Sequence, residues 1–254
     1  MRDPPCSPAW NMAVDEALAR VLRPGEGVLR IYRWRQPTLS FGRNQSVRDR
    51  YDPEAFGPLG IGVVRRPTGG REVLHDRELT YAVVLPVDEL ESVRSLYRLV
   101  NEGLLEGLRS LDVAAALAPS RGRTPPLESG ACFLEPAGGE VEVDGRKIVG
   151  SAQRRFGSAL LQHGSLLLGP PSVALPALLT PAAAGASPVE QGGVGLAEVL
   201  GVPVSFGRVA AAVEAGIAGV LGGSWVRGGI RAEEDREARE LLSRYEGKEW
   251  TWSR

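Results

Sequence analysis

The chain has 254 residues, 43% of them hydrophobic, with 30 basic residues against 31 acidic ones for a net charge of −1. That is ample apolar material for a sizeable core, and the balanced charge excludes the broad basic field of a dedicated nucleic-acid binder. Two cysteines and two histidines are too few for a disulfide framework or a metal cluster, which points to a reducing, cytoplasmic setting.

Met1 to Pro5 has no apolar signal region. The uncharged stretch Leu166 to Val189 is broken by five prolines, so no membrane span is expected. Asn11 to Val21 reads as a short helix that Asn11 caps and Pro24-Gly25 ends. Val28 to Trp34 and Pro37 to Phe41 read as strands, and Ile61 to Val64 is a short apolar run entering a glycine-rich loop. Leu79 to Leu85 is another strand, stopped by Pro86. Val87 to Leu111 has helical periodicity, with Leu96, Val100, Leu104 and Leu108 on one face. A proline-rich loop, Pro119 to Pro126, precedes a hairpin in which Val141 and Val143 alternate with acids. Asp144-Gly145 turns it and Ile148-Val149 return. Ala159 to Leu168 reads as a buried strand. Val173 to Leu179, Leu196 to Leu200, Phe206 to Leu221 and Glu233 to Tyr245 read as helices. Strands and helices mix without regular alternation, which favours an α+β fold.

Four segments have the residues for chemistry. In Arg65-Arg66-Pro67-Thr68-Gly69-Gly70-Arg71, a glycine pair lets backbone approach a ligand, and its N–H groups can hold an anion or a carbonyl oxygen. An arginine-rich surface turn has the same composition. His75, just beyond, is either a site group or a satisfied structural histidine. Cys132, among small residues, is either a nucleophile, which needs a nearby cation or base, or an inert small hydrophobe. Lys147 follows the hairpin turn beside Ile148 and Val149. It is either partly desolvated, and then a counter-charge for a thiolate, or an ordinary solvated lysine. The small run Gly150-Ser151-Ala152 permits close approach by a chain-like ligand. In Gln162-His163-Gly164-Ser165, a glycine inside a strand marks a bulge or a close backbone approach, and His163 is a site residue or a packing one.

In order from Asn11-Met12-Ala13-Val14-Asp15-Glu16 to about Leu168, these segments resemble the biotin/lipoate protein ligase and octanoyltransferase superfamily. Within it the chain looks most like the LipM-type octanoyltransferases. Glu78-Leu79-Thr80-Tyr81 after His75-Asp76, and Cys132-Phe133 ahead of Lys147, carry that closer likeness. The sequence departs from it after Phe133, where Pro136-Ala137-Gly138-Gly139 replaces the polar and aromatic pair usual in relatives.

The resemblance implies an α+β catalytic domain of the type shared with class II aminoacyl-tRNA synthetases, a mixed sheet flanked by helices. It implies one domain over residues 1–254, with 190–254 a mostly helical extension. It implies transfer of an octanoyl group from acyl carrier protein to a lysine of a lipoyl domain, through a thioester on Cys132, with Lys147 lowering the cysteine's pKa. Arg66, Thr68, Gly69, Gly70, His75, Gly150, Ser151, Ala152, His163 and Gly164 would bind substrate. No cofactor, metal, nucleic acid or membrane enters this reading, and the protein would act as a monomer. The alternatives are an ATP-dependent lipoate–protein ligase and an amidotransferase between lipoyl domains.

Overall fold

A computed structural model describes residues 1–47, 49–87, 93–119, 139–173, 175–184 and 192–253. Cys132 and the altered residues 136–138 lie outside the described residues, as does most of the proline-rich loop.

The first helix, α1 (Pro8–Arg20), starts earlier than expected. The fixed φ of Pro8 suits a first helical position, and the Ser7 hydroxyl oxygen accepts from the Trp10 N–H at 3.3 Å. Asn11 is therefore not the cap. It is buried inside the helix, where its Nδ2 donates to the Arg33 carbonyl at 3.2 Å.

Six strands form one sheet in the order β1-β5-β9-β8-β7-β6: β1 (Val28–Tyr32), β5 (Glu78–Pro86), β9 (Ala159–Leu167), β8 (Arg146–Phe156), β7 (Val141–Val143) and β6 (Ala116–Leu117). Every pairing in it is antiparallel. The expected hairpin is there, with Asp144 at φ 50 and Gly145 at φ 74 in its turn. Its return strand runs for 11 residues, Arg146–Phe156.

The strand period of two divides the sheet's side chains. Leu79, Tyr81, Val83, Val149 and Leu166 pack with α2 (Val93–Arg109) and α5 (Phe206–Leu221). Ala82, Val84, Ala159 and Leu161 pack with α1 and α6 (Ala232–Glu246). The anticipated stripe of α2 is buried as its spacing requires. The Glu16 carboxylate ties α1 to α6, accepting from the Tyr245 hydroxyl and, at 3.2 Å, from Arg244 Nη1.

A second sheet has three strands, β3-β2-β4: β3 (Gly62–Arg65), β2 (Thr38–Phe41) and β4 (Val73–His75). β2 runs parallel to β3 and antiparallel to β4, so the mixed pairing belongs to this small sheet. Fully buried Arg65 pins it. Its guanidinium donates to the Gly42 and Gln45 carbonyls at 2.6 and 2.8 Å, and to the Thr251 carbonyl at 3.0 Å in α7 (Lys248–Thr251). The segment read as a helix from Val173 contains only a 3₁₀ turn at Leu175–Leu178, with Pro176 inside it. Two short helices, α3 (Pro181–Ala184) and α4 (Leu196–Leu200), and a 3₁₀ turn at Pro53–Ala55 complete the described elements.

Helices α2 and α5 cross almost backbone to backbone. A Cβ on Gly216 would lie 2.2 Å from the Gly103 carbonyl oxygen and 2.4 Å from the Gly107 nitrogen. Gly216→Ala must push the helices apart, and it should lower unfolding free energy by about 1–3 kcal/mol, the usual cost of overpacking, as read by chemical denaturation.

Candidate active site

The register of the large sheet lines up three rows of side chains. Thr80, Ser165 and Gly150 share one row, Tyr81, Gly164 and Ser151 the next, and Ala82, His163 and Ala152 the third. Over these rows lies the loop Arg66–Arg71, which leads from the small sheet's β3 to its β4. Between them runs a slot of 40 Å³ lined by Arg66, Gly70, His75, Gly150, Ser151, Ala152, His163 and Gly164. A water needs roughly 10–15 Å³ of such space, so the slot is small. Met12, Tyr32, Trp34, Val73, Thr80 and Ser165 complete the lining. Both of the chain's histidines are in it.

Each histidine is fixed from two sides. The buried carboxylate of Asp15 takes Arg30 Nη1 at 2.7 Å, the Tyr32 hydroxyl at 2.8 Å and His163 Nδ1 at 2.9 Å. Burial alone would raise the pKa of Asp15, but these partners hold it below the usual carboxylate range. An ionised carboxylate only accepts, so His163 carries its hydrogen on Nδ1. Its Nε2 then accepts from the Thr68 hydroxyl at 2.6 Å. Burial pushes the pKa of His163 down despite Asp15, which keeps the imidazole neutral near pH 7.

His75 repeats the pattern. Its Nδ1 lies 2.7 Å from Glu78 Oε1, and its Nε2 lies 2.7 Å from the Ser40 hydroxyl. Trp34 stacks on the ring at 4.2 Å between centroids and donates its Nε1–H to Thr80 Oγ1 at 2.8 Å. The same Glu78 oxygen also accepts from Thr80 at 2.6 Å and Ser165 at 3.0 Å.

The donors of Arg66 are directed at protein oxygens. Its Nη1 donates to the Ser40 carbonyl and hydroxyl oxygens, both at 3.0 Å, and its Nη2 to the carbonyls of Gly69 at 2.9 Å and Arg71 at 2.6 Å. The guanidinium holds the glycine loop in shape over the slot. Gly69 serves the loop in this way, and Thr68 stands behind His163. Gly164 has a steric reason, since a Cβ there would lie 2.3 Å from the Gly150 carbonyl oxygen and 2.8 Å from the Tyr81 ring.

Lys147 is 2% exposed, and its Nζ donates to Glu140 Oε1 at 2.7 Å. Burial of this pair rules out the solvated alternative for the lysine. It precedes Gly150-Ser151-Ala152 on β8 but does not line the slot itself.

Sequence reasoning missed the roles of Asp15, Trp34, Ser40, Glu78 and Glu140. A signal was present for some of them. Glu78 and Thr80 alternate with Leu79 and Tyr81 in a strand buried on both faces. Polar residues at period two in such strands mark a polar row inside the protein. Glu140 gives no such sign.

This fold is that of a lipoyl protein ligase-type catalytic domain. Residues 7–218 match the lipoyl protein ligase A/B catalytic domain, and the chain belongs to that family. It is similar to the octanoyltransferase LipM of Kyrpidia tusciae, 42% identical over 260 residues that cover 97% of this chain and 95% of that one. It is 45% identical to the octanoyltransferase LipM of Anoxybacillus flavithermus over 175 residues, 64% of this chain and 62% of the relative. Its fold is that of the putative lipoate protein ligase Ta0514 of T. acidophilum with bound lipoic acid, at TM-score 0.80 and 25% identity over 99% of this chain and 97% of that one. The chain is thus an enzyme of the acyltransferase kind.

The histidine shift has a consequence for stability. The folded pKa of His163 lies below its ordinary 6.5, so the unfolded chain takes up a proton first as pH falls. This contribution is whole above pH 6.5 and shrinks as pH drops toward the folded value. The depressed Asp15 adds a loss only lower, below its ordinary 3.8. The urea midpoint should therefore fall between about pH 7 and pH 5, and His163→Gln should flatten that slope.

Proposed function

We propose that the chain moves an octanoyl group from acyl carrier protein to a lysine of a lipoyl domain, such as the glycine-cleavage H protein, through a thioester on Cys132. The observation that carries this reading is the slot: small, walled by two histidines locked by paired hydrogen bonds, and roofed by a glycine loop that Arg66 keeps in shape. An alkyl chain finds apolar contact there, with about 0.8 kcal/mol gained for each buried methylene. Octanoyltransferase relatives along nearly the whole chain support the same substrate.

The chemistry follows from the residues. Cys132 attacks the donor thioester as thiolate, the bond to the donor sulfur breaks, and the carrier leaves as a thiol after taking a proton. The acceptor lysine, as neutral amine, then attacks the acyl-cysteine. An amide forms and the cysteine thiolate returns, while the amine's proton passes to a base. Lys147 fits both needs, as a cation that favours the thiolate and as a group that exchanges a proton. Glu140 holds its ammonium in place at 2.7 Å. Backbone N–H groups of the Gly69-Gly70 loop would steady the oxyanion.

The second reading is an ATP-dependent lipoate–protein ligase, favoured by the fold shared with the Thermoplasma protein. There Cys132 would be incidental. Incubation with octanoyl-acyl carrier protein and no ATP separates the two. Intact mass spectrometry should find an octanoyl adduct on the wild type and none on Cys132→Ala. An adduct that persists without the cysteine, or lipoyl transfer that requires ATP and survives Cys132→Ala, would overturn the proposal. Carriage between lipoyl domains would instead appear as a preference for an octanoylated lipoyl domain as donor.

Lys147→Met leaves the buried Glu140 carboxylate without this cation. It should lower unfolding free energy by about 3–5 kcal/mol, the usual result of breaking a buried pair from one side. Adding Glu140→Gln should restore much of that stability in a denaturation experiment but none of the acyl transfer.

A further inference from the structure

Resting on the octanoyl-transfer reading, we infer that Met12 sets the length of acyl chain that the slot accepts. The slot has two different ends. Gly70 is exposed and Ser151, Ala152 and Gly164 are half-buried, so these residues form its rim. Met12 is 1% exposed and Tyr32 fully buried, so these form its floor. Donor and acceptor are whole proteins that cannot enter a passage this small. The reacting carbonyl therefore stays at the rim and the methyl end of the chain travels to the floor.

The two floor residues differ in how firmly they are held. The Tyr32 hydroxyl donates to Asp15 Oδ2 at 2.8 Å, and its ring lies under the Arg30 guanidinium at 4.0 Å. His163, Thr80 and Ser165, buried to a similar degree, are each tied by hydrogen bonds. Met12 reaches the slot from α1 with an unbranched thioether that has three rotatable bonds and no hydrogen-bonding demand. It is the floor side chain whose volume can change without breaking a polar network. Met12→Ala removes three heavy atoms from the floor and deepens the slot. Met12→Phe makes it shallower. One methylene in an apolar pocket commonly changes kcat/KM by about 10–200-fold, so a change of this size is measurable.

The test compares kcat/KM for hexanoyl, octanoyl, decanoyl and dodecanoyl carrier-protein thioesters, for the wild type and both variants, after a thermal melt shows which are folded. Met12→Ala should raise the decanoyl-to-octanoyl ratio about ten-fold. Met12→Phe should raise the hexanoyl-to-octanoyl ratio by a similar factor, and it keeps the test open should the alanine variant not fold. Folded variants that transfer acyl groups with the wild-type profile would overturn the assignment and leave Met12 as core filling. A wild type that accepts none of the four thioesters would instead overturn the octanoyl-transfer reading itself.

Discussion

The carboxylate of Asp15 is the charge around which this protein is arranged. A bare carboxylate at that depth would cost several kcal/mol, so its environment has to supply partners. It does so from two strands at once: Arg30 and Tyr32 on β1 and His163 on β9, all converging on one residue of α1. The helix is thereby fixed against the large sheet at a set depth and rotation. The same bonds decide which nitrogen of His163 carries a hydrogen, and hence that Thr68, at the base of the glycine loop, can close on the other. One ionised side chain thus positions a helix, a slot wall and a loop.

The slot exists because two sheets of different kinds meet there. The antiparallel sheet supplies one wall, with Gly150 and Gly164 in it. The small sheet supplies the loop, held in shape by Arg66 from below. His75 belongs to the small sheet, through β4, and Glu78 to the large one, so their contact at 2.7 Å joins the two sheets at the slot's edge. The molecule uses its polar groups on one another here. Ring surface, glycine backbone and Met12 line the slot beside Arg66, Thr80, Ser151 and Ser165, while the charged pair Lys147–Glu140 lies outside the lining.

Sequence alone determined the elements whose signals are local. The 3.6-residue spacing of Leu96, Val100, Leu104 and Leu108, and the Asp144-Gly145 turn, depend on neighbours a few residues away. The folded chain realises both. The α+β class and the family were legible for a related reason, since glycines, histidines and small residues at fixed offsets leave a pattern even unfolded. What sequence could not settle is what each polar residue touches. Asp15 and His163 are 148 positions apart, Thr68 and His163 are 95, and Ser40 and His75 are 35. No local rule links such pairs, because only the packed sheets and α1 bring them within hydrogen-bond distance. The same holds for Arg66, whose bonds to the Gly69 and Arg71 carbonyls no local pattern announces. It holds for Lys147, whose desolvated and solvated readings have identical sequences and differ only in whether the fold buries it against Glu140.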